Sequence, residues 1–143
     1  MAIIRTGSAE WSGGIKDGKG KISTESGALA AYPYGFASRF EGQRGSNPEE
    51  LLGAAHAACF TMALSLILGE AGLTATALNT SAKVSLEKQD AGYAITKVDL
   101  VLTGTVPGAT PEQFEELAGK AKANCPLSKV IRADISLEAT LEG

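Results

Sequence analysis

The sequence has few of the residues from which metal centres and disulfide scaffolds are built. It contains two cysteines, Cys59 and Cys125, and a single histidine, His56, among 143 residues. A structural zinc site normally takes four ligands, so these three side chains do not predict one. A chain of this length can also bury a core without disulfide staples. We therefore expect no metal and no bound cofactor.

An excess of positive charge, which binding to nucleic acid or an anionic membrane requires, is also missing. The 16 Asp and Glu residues outnumber the 13 Lys and Arg residues, and the formal net charge is -3. This balance predicts neither nucleic acid nor a membrane as a partner. Residues 1–7 lack the basic lead-in and long apolar run of a secretory signal, so we expect a cytoplasmic protein, in which thiols are normally reduced.

The one long apolar run, residues 51–68, lies in a segment with several helix signals. Asn47 is a good N-cap, Pro48 suits the first helical position, Glu50 can close a capping box, and Gly72 can end the helix. The run is barely long enough to cross a bilayer, so a buried helix of a soluble protein is expected. Its apolar residues point in every direction and must be buried on all sides. One chain has too few other elements to cover it, which predicts an obligate dimer.

Alternating apolar and polar residues predict strands on both sides of this helix. Residues 9–11 and 21–24 flank a glycine-rich turn and indicate a hairpin, and residues 38–41 are expected to be a short extended piece. Three later segments alternate in the same way: residues 82–87, 97–103 and 135–141. A second, amphipathic helix is expected to begin at Thr110 with a capping box. The predicted fold class is α+β, mostly antiparallel, in a single domain over residues 1–143.

The two cysteines lie in different sequence contexts. Cys59 is in the middle of the apolar helix, where a free cysteine is commonly a small buried hydrophobe. Cys125 precedes Pro126, which suits the first position of a short helix, so Cys125 is expected to be its N-cap. That position lowers the pKa of a thiol. Their spacing fits no local Cys-x-x-Cys motif and leaves two inert thiols or a reversible dithiol open.

Two segments of the chain together resemble a known protein family. Residues 47–60, Asn-Pro-Glu-Glu-Leu-Leu-Gly-Ala-Ala-His-Ala-Ala-Cys-Phe, resemble the signature helix of the OsmC/Ohr hydroperoxide reductases. Residues 123–128, Ala-Asn-Cys-Pro-Leu-Ser, resemble the second-cysteine segment of that family. The likeness runs from Trp11 to the C-terminal strand. Two short sequences, Arg-Phe-Glu-Gly at residues 39–42 and Leu-Gly-Ala-Ala-His at residues 52–56, favour the OsmC branch (osmotically inducible protein C).

The resemblance implies an intertwined homodimer in which long central helices pack between curved sheets. It implies an antioxidant, stress-response peroxidase that reduces organic hydroperoxides to alcohols and acts less efficiently on hydrogen peroxide. Cys59 would be the peroxidatic cysteine, which becomes a sulfenic acid, and Cys125 would resolve it as a Cys59–Cys125 disulfide. An external dithiol reductant, which the family suggests is of lipoyl type, would restore both thiols.

The resemblance also implies that Arg39 and Glu49 form the arginine–glutamate pair of the site, with Arg44 and Arg5 as competing arginines. The attacking species must be a thiolate, and a free cysteine is only a few per cent ionised at neutral pH. Lowering its pKa also lowers its nucleophilicity, so ionisation alone explains little of the rate. A guanidinium that positions the peroxide and stabilises the departing oxygen would contribute more.

Helical spacing separates Glu49 from Cys59, which follows it by ten residues. In one helix that spacing corresponds to a rise of about 15 Å, so the two side chains cannot touch. If both serve one site, Glu49 is expected to come from the other subunit. His56 lies one turn before Cys59 on the same face, and a cysteine–histidine nucleophile pair is an open alternative. We expect His56 to be a packed or interface residue instead, because an arginine can perform the activation.

A function without catalysis is the competing hypothesis. In that interpretation the chain is a dimeric domain that binds a lipid or acyl ligand in an apolar interface pocket. Both cysteines would then be merely buried. Peroxide consumption that disappears in Cys59→Ser would distinguish the enzyme from the binding protein.

Overall fold

The computed structural model describes residues 1–142, in which six strands and four helices alternate in the mixed order of an α+β protein. The predicted fold class is confirmed. The chain forms two compact units, Met1–Leu51 and the part from Leu52 onward. Each unit is described by itself, and the assignment of residues 1–143 to one domain stays a prediction.

The first unit contains a three-stranded antiparallel sheet. Its strands are β1 (Gly7–Ser12), β2 (Lys19–Thr24) and β3 (Tyr32–Tyr34), with β2 in the centre. The glycine-rich turn joins β1 to β2 as the sequence predicts, and the hairpin is confirmed. The short helix α1 (Phe36–Phe40) follows β3 and carries Arg39.

The prediction of an extended segment at residues 38–41 is wrong, because Ser38 stabilises a helical turn there. The Gly35 amide donates to Ser38 Oγ at 2.9 Å, at the start of α1. Ser38 Oγ is also 2.8 Å from the carbonyl oxygen of Ser46, to which it can donate. These buried hydrogen bonds satisfy backbone groups at a helix start that apolar alternation does not reveal.

The long helix α2 (Pro48–Glu70) begins where its N-cap signal predicts. The Glu50 amide donates to Asn47 Oδ1 at 2.8 Å, which confirms Asn47 as the capping side chain. The Glu50 carboxylate does not complete the expected box within the described chain. It accepts a hydrogen bond from Ser46 Oγ at 2.9 Å instead, because Ser46 lies one turn before it.

The C-terminal end of α2 is a Schellman motif centred on Gly72. The Leu73 amide donates to the Leu68 carbonyl at 2.8 Å, and the Gly72 amide donates to the Gly69 carbonyl at 3.0 Å. Gly72 has φ 78°, the left-handed conformation that favours glycine. The predicted end of the helix is confirmed, and the cause is the one that the sequence indicates.

One face of α2 is buried in the core of the second unit, and the opposite face is exposed. Phe60, Leu64 and Leu68 are 0–1% exposed, whereas Met62 and Leu66 are 76% and 66% exposed. The expectation that the helix is buried on all sides is therefore not met within one chain. Length and composition alone would also let α2 cross a membrane, as they would for many core helices.

The sheet of the second unit consists of β4 (Ala77–Gln89), β5 (Gly92–Thr105) and β6 (Asp134–Leu141). Strands β4 and β5 form the predicted antiparallel hairpin, whereas β6 pairs with β5 in parallel. A parallel neighbour needs a crossover connection. The two remaining helices, α3 (Pro111–Asn124) and α4 (Pro126–Val130), supply it.

The start and the buried face of α3 agree with the sequence prediction. Thr110 Oγ1 accepts a hydrogen bond from the Gln113 amide at 3.1 Å and caps the helix. The buried residues of α3 are the four that the periodicity indicates: Phe114, Leu117, Ala118 and Ala121. These residues form the core of the second unit together with one face of α2 and the apolar residues of β5. Cys125 is part of this core, and Cys59 packs against it.

Candidate active site

The fold brings the two cysteines into direct contact inside the second unit. Cys59 is partly exposed in the middle of α2, and Cys125 is fully buried at the junction of α3 and α4. Their Sγ atoms are 2.9 Å apart although 66 residues separate them in sequence. A disulfide bond is about 2.05 Å long, so bond formation requires a movement of less than about 1 Å. The two free thiols are therefore close enough for a disulfide to form between them.

The same contact makes the two thiols unequal acids. Burial raises the pKa of Cys59, and the shared hydrogen bond with Cys125 raises it further, because both favour the protonated thiol. Burial also acts to raise the pKa of Cys125. The hydrogen bond with Cys59, the amides of Ser128 and Leu127 and the Ser128 hydroxyl outweigh that effect, so its pKa lies below the usual value.

The position of Cys125 before α4 explains part of its acidity. Cys125 is the N-cap residue of that helix, as the sequence predicts, and Pro126 occupies the first helical position. It forms no side-chain capping hydrogen bond with the described residues, yet the amides of Leu127 and Ser128 are close enough to lower its pKa. Partial positive charge on free amides at a helix start stabilises a thiolate.

An apolar cavity of about 490 Å³ opens beside Cys59. It is lined by the exposed side of α2 and by the junction of α3 and α4: Cys59, Met62, Ala63, Leu66, Ile67, Glu70, Asn124 and Pro126. Most of these side chains are hydrocarbon or thioether and offer little to hold a small polar molecule. The cavity therefore suits an alkyl chain next to the Cys59 sulfur.

Arg39 and Glu49 form a bidentate ion pair in the first unit. Arg39 Nε donates to Glu49 Oε1 at 3.0 Å, and Arg39 Nη2 donates to Glu49 Oε2 at 2.9 Å. Glu49 is buried, whereas the Arg39 side chain is 36% exposed. Of the three arginines that the sequence proposes, Arg39 makes this pair, whereas Arg5 donates to the Ile4 carbonyl and Arg44 is exposed. Two parallel hydrogen bonds fix the plane of the Arg39 guanidinium relative to the Glu49 carboxylate.

His56 is fully buried in α2 and contacts α4 instead of acting on Cys59. Its Nε2 atom is 2.9 Å from Ser128 Oγ. Burial lowers the pKa of His56, so the ring is neutral at pH 7. The expectation of a packed residue agrees with this position.

Ser128 is a further residue of this region for which the sequence predicts no role. Its nearness to Cys125 in sequence and its place in the first turn of α4 were the available signals.

No group of three or more His, Cys, Asp or Glu side chains within residues 1–142 is arranged to hold a metal ion. Among the described residues, the second unit holds the pair of cysteines and the first unit holds the Arg39–Glu49 ion pair.

Comparison with known proteins relates this arrangement to one family. Residues 40–140 match the family model described as OsmC-like protein. Peroxiredoxin OsmC of Escherichia coli is 57% identical over 142 residues, which cover 99% of both chains. Organic hydroperoxide resistance protein OhrB of Bacillus subtilis is 30% identical over 125 residues, which cover 86% of this chain and 89% of the relative.

Similarity extends to solved structures. The crystal structure of an organic hydroperoxide resistance protein from Elizabethkingia anophelis superposes with a TM-score of 0.69 at 27% identity. The match covers 100% of this chain and 99% of the other. Near-complete coverage of both chains means that the likeness concerns the whole fold.

Proposed function

Because this chain belongs to the OsmC family, we propose that Cys59 and Cys125 are the peroxidatic and resolving cysteines of its reaction. The protein is a thiol-dependent peroxidase that reduces organic hydroperoxides. One observation supports the assignment of the cysteines above all others. Their sulfurs are 2.9 Å apart beside an apolar cavity of about 490 Å³.

The proposed reaction begins with the Cys59 thiolate. Its sulfur attacks the terminal oxygen of the hydroperoxide, the O–O bond breaks, and an alkoxide leaves and takes up a proton to become the alcohol. Cys59 is then a sulfenic acid. The Cys125 thiolate attacks this sulfur, the S–S bond forms, and the S–O bond breaks. Hydroxide leaves and is protonated to water. An external dithiol reduces the disulfide and completes the cycle.

Ionisation of the Cys59 thiol requires a further group, because the residues around its sulfur in one subunit raise its pKa. Burial and the contact with Cys125 both raise the pKa of Cys59. Arg39 is held by Glu49 in a fixed orientation with a permanent charge, and it suits this task. Glu49 precedes Cys59 by ten residues in the same helix, a rise of about 15 Å. The proposal is therefore that the Arg39–Glu49 pair of one subunit acts on Cys59 of the other.

A second copy of the chain is the proposed cover for the exposed face of α2. Met62 and Leu66 on this face are 76% and 66% exposed, in a helix whose composition is that of a buried element. Exposure of such a face to water is unfavourable by about 25 cal/mol for each Å² of apolar surface. A homodimer built on α2 would bury it and would bring the substrate cavity next to the partner's ion pair. The proposed dimer is soluble and cytoplasmic, with a dithiol, of lipoyl type, as its reductant.

The deciding experiment compares wild type with Cys59→Ser and Cys125→Ser. With cumene hydroperoxide and dithiothreitol, we expect Cys59→Ser to lose all peroxide consumption above background. After one equivalent of peroxide without reductant, mass spectrometry should find an intramolecular Cys59–Cys125 disulfide in wild type. Cys125→Ser should accumulate sulfinic acid on Cys59 as peroxide is raised. Full activity in Cys59→Ser would refute the assignment of Cys59, whereas a wild type that is inactive with both alkyl and hydrogen peroxides would favour the lipid-binding function.

A further inference from the structure

Besides the contact between the two sulfurs, a second hydrogen bond connects the segments that carry the cysteines. His56 lies on α2 one turn before Cys59, and Ser128 lies on α4 three residues after Cys125. His56 Nε2 and Ser128 Oγ are 2.9 Å apart, and His56 is 0% exposed. The contact joins residues that are 72 positions apart in sequence. It therefore links α4 to α2 at residues that are three positions from each cysteine in sequence.

The other ring nitrogen indicates how the protons of this contact are arranged. Nδ1 of His56 is buried and has no hydrogen-bond partner within residues 1–142. Buried N–H groups without a partner are rarer than unpaired acceptors, so Nδ1 carries a lone pair and Nε2 carries the proton. Nε2–H then donates to Ser128 Oγ. A hydroxyl has one proton, and that of Ser128 is then available to the Cys125 sulfur, whose pKa the Ser128 side chain lowers by hydrogen bonding.

We propose that His56 and Ser128 are positioning residues for the resolving step, in which they orient a hydroxyl donor towards the Cys125 sulfur and hold it against Cys59. This inference rests on the proposed function of the two cysteines. A donor at the Cys125 sulfur stabilises its thiolate, the species that attacks the Cys59 sulfenic acid. The link between α2 and α4 also keeps the sulfurs aligned while the S–S bond forms and the S–O bond breaks.

The geometry assigns these residues to the second step of the reaction and not to the first. Nε2 of His56 is engaged with Ser128, so it offers no lone pair to the Cys59 thiol. The Ser128 hydroxyl affects the acidity of Cys125 and is absent from the groups that shift the pKa of Cys59. Peroxide attack should therefore proceed without them, whereas disulfide formation should depend on both.

The test separates the two steps in single-turnover experiments on the full-length protein. The rate of sulfenic acid formation and the rate of disulfide formation are measured in Ser128→Ala, Ser128→Thr, His56→Leu and His56→Gln with cumene hydroperoxide. We expect Ser128→Ala and His56→Leu to slow disulfide formation about tenfold, as loss of a hydrogen bond to a charged group does. Sulfenic acid formation should change less than about twofold. Sulfinic acid on Cys59 should then appear at about tenfold lower peroxide concentration, because slower resolution leaves the sulfenic acid exposed for longer.

Conservative variants and a matched control distinguish this role from general packing. Ser128→Thr keeps the hydroxyl, and His56→Gln keeps an N–H near the position of Nε2, so both should recover most of the disulfide rate. Thr80→Ala removes a hydrogen bond of 2.7 Å from Thr61 on the same helix, and it should leave both steps unchanged. If His56→Leu does not fold, the two rates measured in Ser128→Ala are sufficient to test the proposal.

Two results would overturn the proposal. One is a disulfide rate in Ser128→Ala equal to that of wild type. The other is an equal decrease in the rates of sulfenic acid formation and disulfide formation in Ser128→Ala that is not restored in Ser128→Thr. Absence of any Cys59–Cys125 disulfide in wild type would instead refute the proposed function on which the inference rests, so the two failures are distinguishable.

Discussion

The acidity of the two thiols is set within a few ångströms of each sulfur. Burial and Cys125 raise the pKa of Cys59, whereas helix amides and a hydroxyl lower that of Cys125. Within a single subunit, ionisation of Cys125 is therefore favoured over ionisation of Cys59. This order suits a site in which Cys59 is activated only when a further cation is present. In the proposed mechanism, the lowered pKa of Cys125 would prepare it to react as soon as the sulfenic acid forms on Cys59.

The buried imidazole of His56 makes stability depend on pH. Burial lowers the pKa of His56 in the folded state below about 6.5, the value in an unfolded chain. Below pH 6.5 the unfolded chain binds a proton that the folded chain resists, so folding loses stability as pH falls through this window. We expect the urea midpoint of wild type to decrease more between pH 7.5 and 5.5 than that of His56→Gln. Carboxylate titration is common to both proteins and cancels in the comparison.

His56 is the only histidine in the chain, so its titration can be followed without assignment. The imidazole proton resonances of folded wild type should titrate with a midpoint below 6.5. A midpoint above 6.5, or equal pH dependence in wild type and His56→Gln, would contradict a neutral buried ring. The tautomer that orients Ser128 depends on the same neutrality.

The sequence alone predicts the structural setting of a candidate site residue only where its close neighbours in the sequence determine that setting. Pro126 after Cys125 indicates an N-capped helix, and the structure has it. Arg39 is different, because nothing local reveals the helix α1 that carries it, and only the family resemblance singled it out. Ser128 was missed because its partner His56 is 72 residues away, and no sequence spacing encodes that contact.

At the scale of elements, helix ends were the most predictable feature of this fold. Asn47 and Thr110 cap the starts of helices with their side chains, and Gly72 ends a helix through its left-handed backbone. Each of these mechanisms acts between residues that are at most five positions apart. The parallel pairing of β6 was not predictable in the same way. Alternation gives a strand its two faces but not the direction of its neighbour, which the crossover through α3 decides.

Close packing of α3 against the sheet depends on Gly104 in β5. A Cβ atom at this position would lie 2.6 Å from Phe114 Cζ and 2.9 Å from Leu78 Cδ2. The Phe114 ring is fully buried and has little room to move. We expect Gly104→Ala to reduce the free energy of unfolding by about 1–3 kcal/mol, the usual cost of overpacking. Urea unfolding followed by circular dichroism measures this loss.

Gly119 in α3 provides the matched comparison. A Cβ atom there would meet no described atom within 4 Å, and the residue lies inside a helix. Gly119→Ala should therefore raise the free energy of unfolding by about 0.5–1 kcal/mol through helix propensity. A stabilising Gly104→Ala, or a loss of the same size at both positions, would contradict the packing explanation.

At the scale of the whole molecule, α2 contributes residues both to the hydrophobic core and to the proposed active site. The helix contributes Phe60 and Leu64 to the core, Cys59 to the dithiol, and Met62 and Leu66 to an exposed apolar face. A surface of this kind is typical of an interface between subunits. If a second copy covers it, loss of the dimer should remove activity as well as stability. The proposed site would then be complete only in the assembly.

Complementation between two inactive variants tests whether the site is shared between subunits. Cys59→Ser lacks the proposed attacking sulfur, and Arg39→Ala lacks the proposed activating cation, so each homodimer should have at most a few per cent of wild-type activity. In a heterodimer purified through two different affinity tags, an intact Cys59 faces the intact Arg39 of the other subunit. We expect this heterodimer to recover about half of the wild-type kcat, because one of its two sites is complete. If Arg39 acts on Cys59 of its own chain, neither site is complete, and the heterodimer should stay as inactive as the two parents.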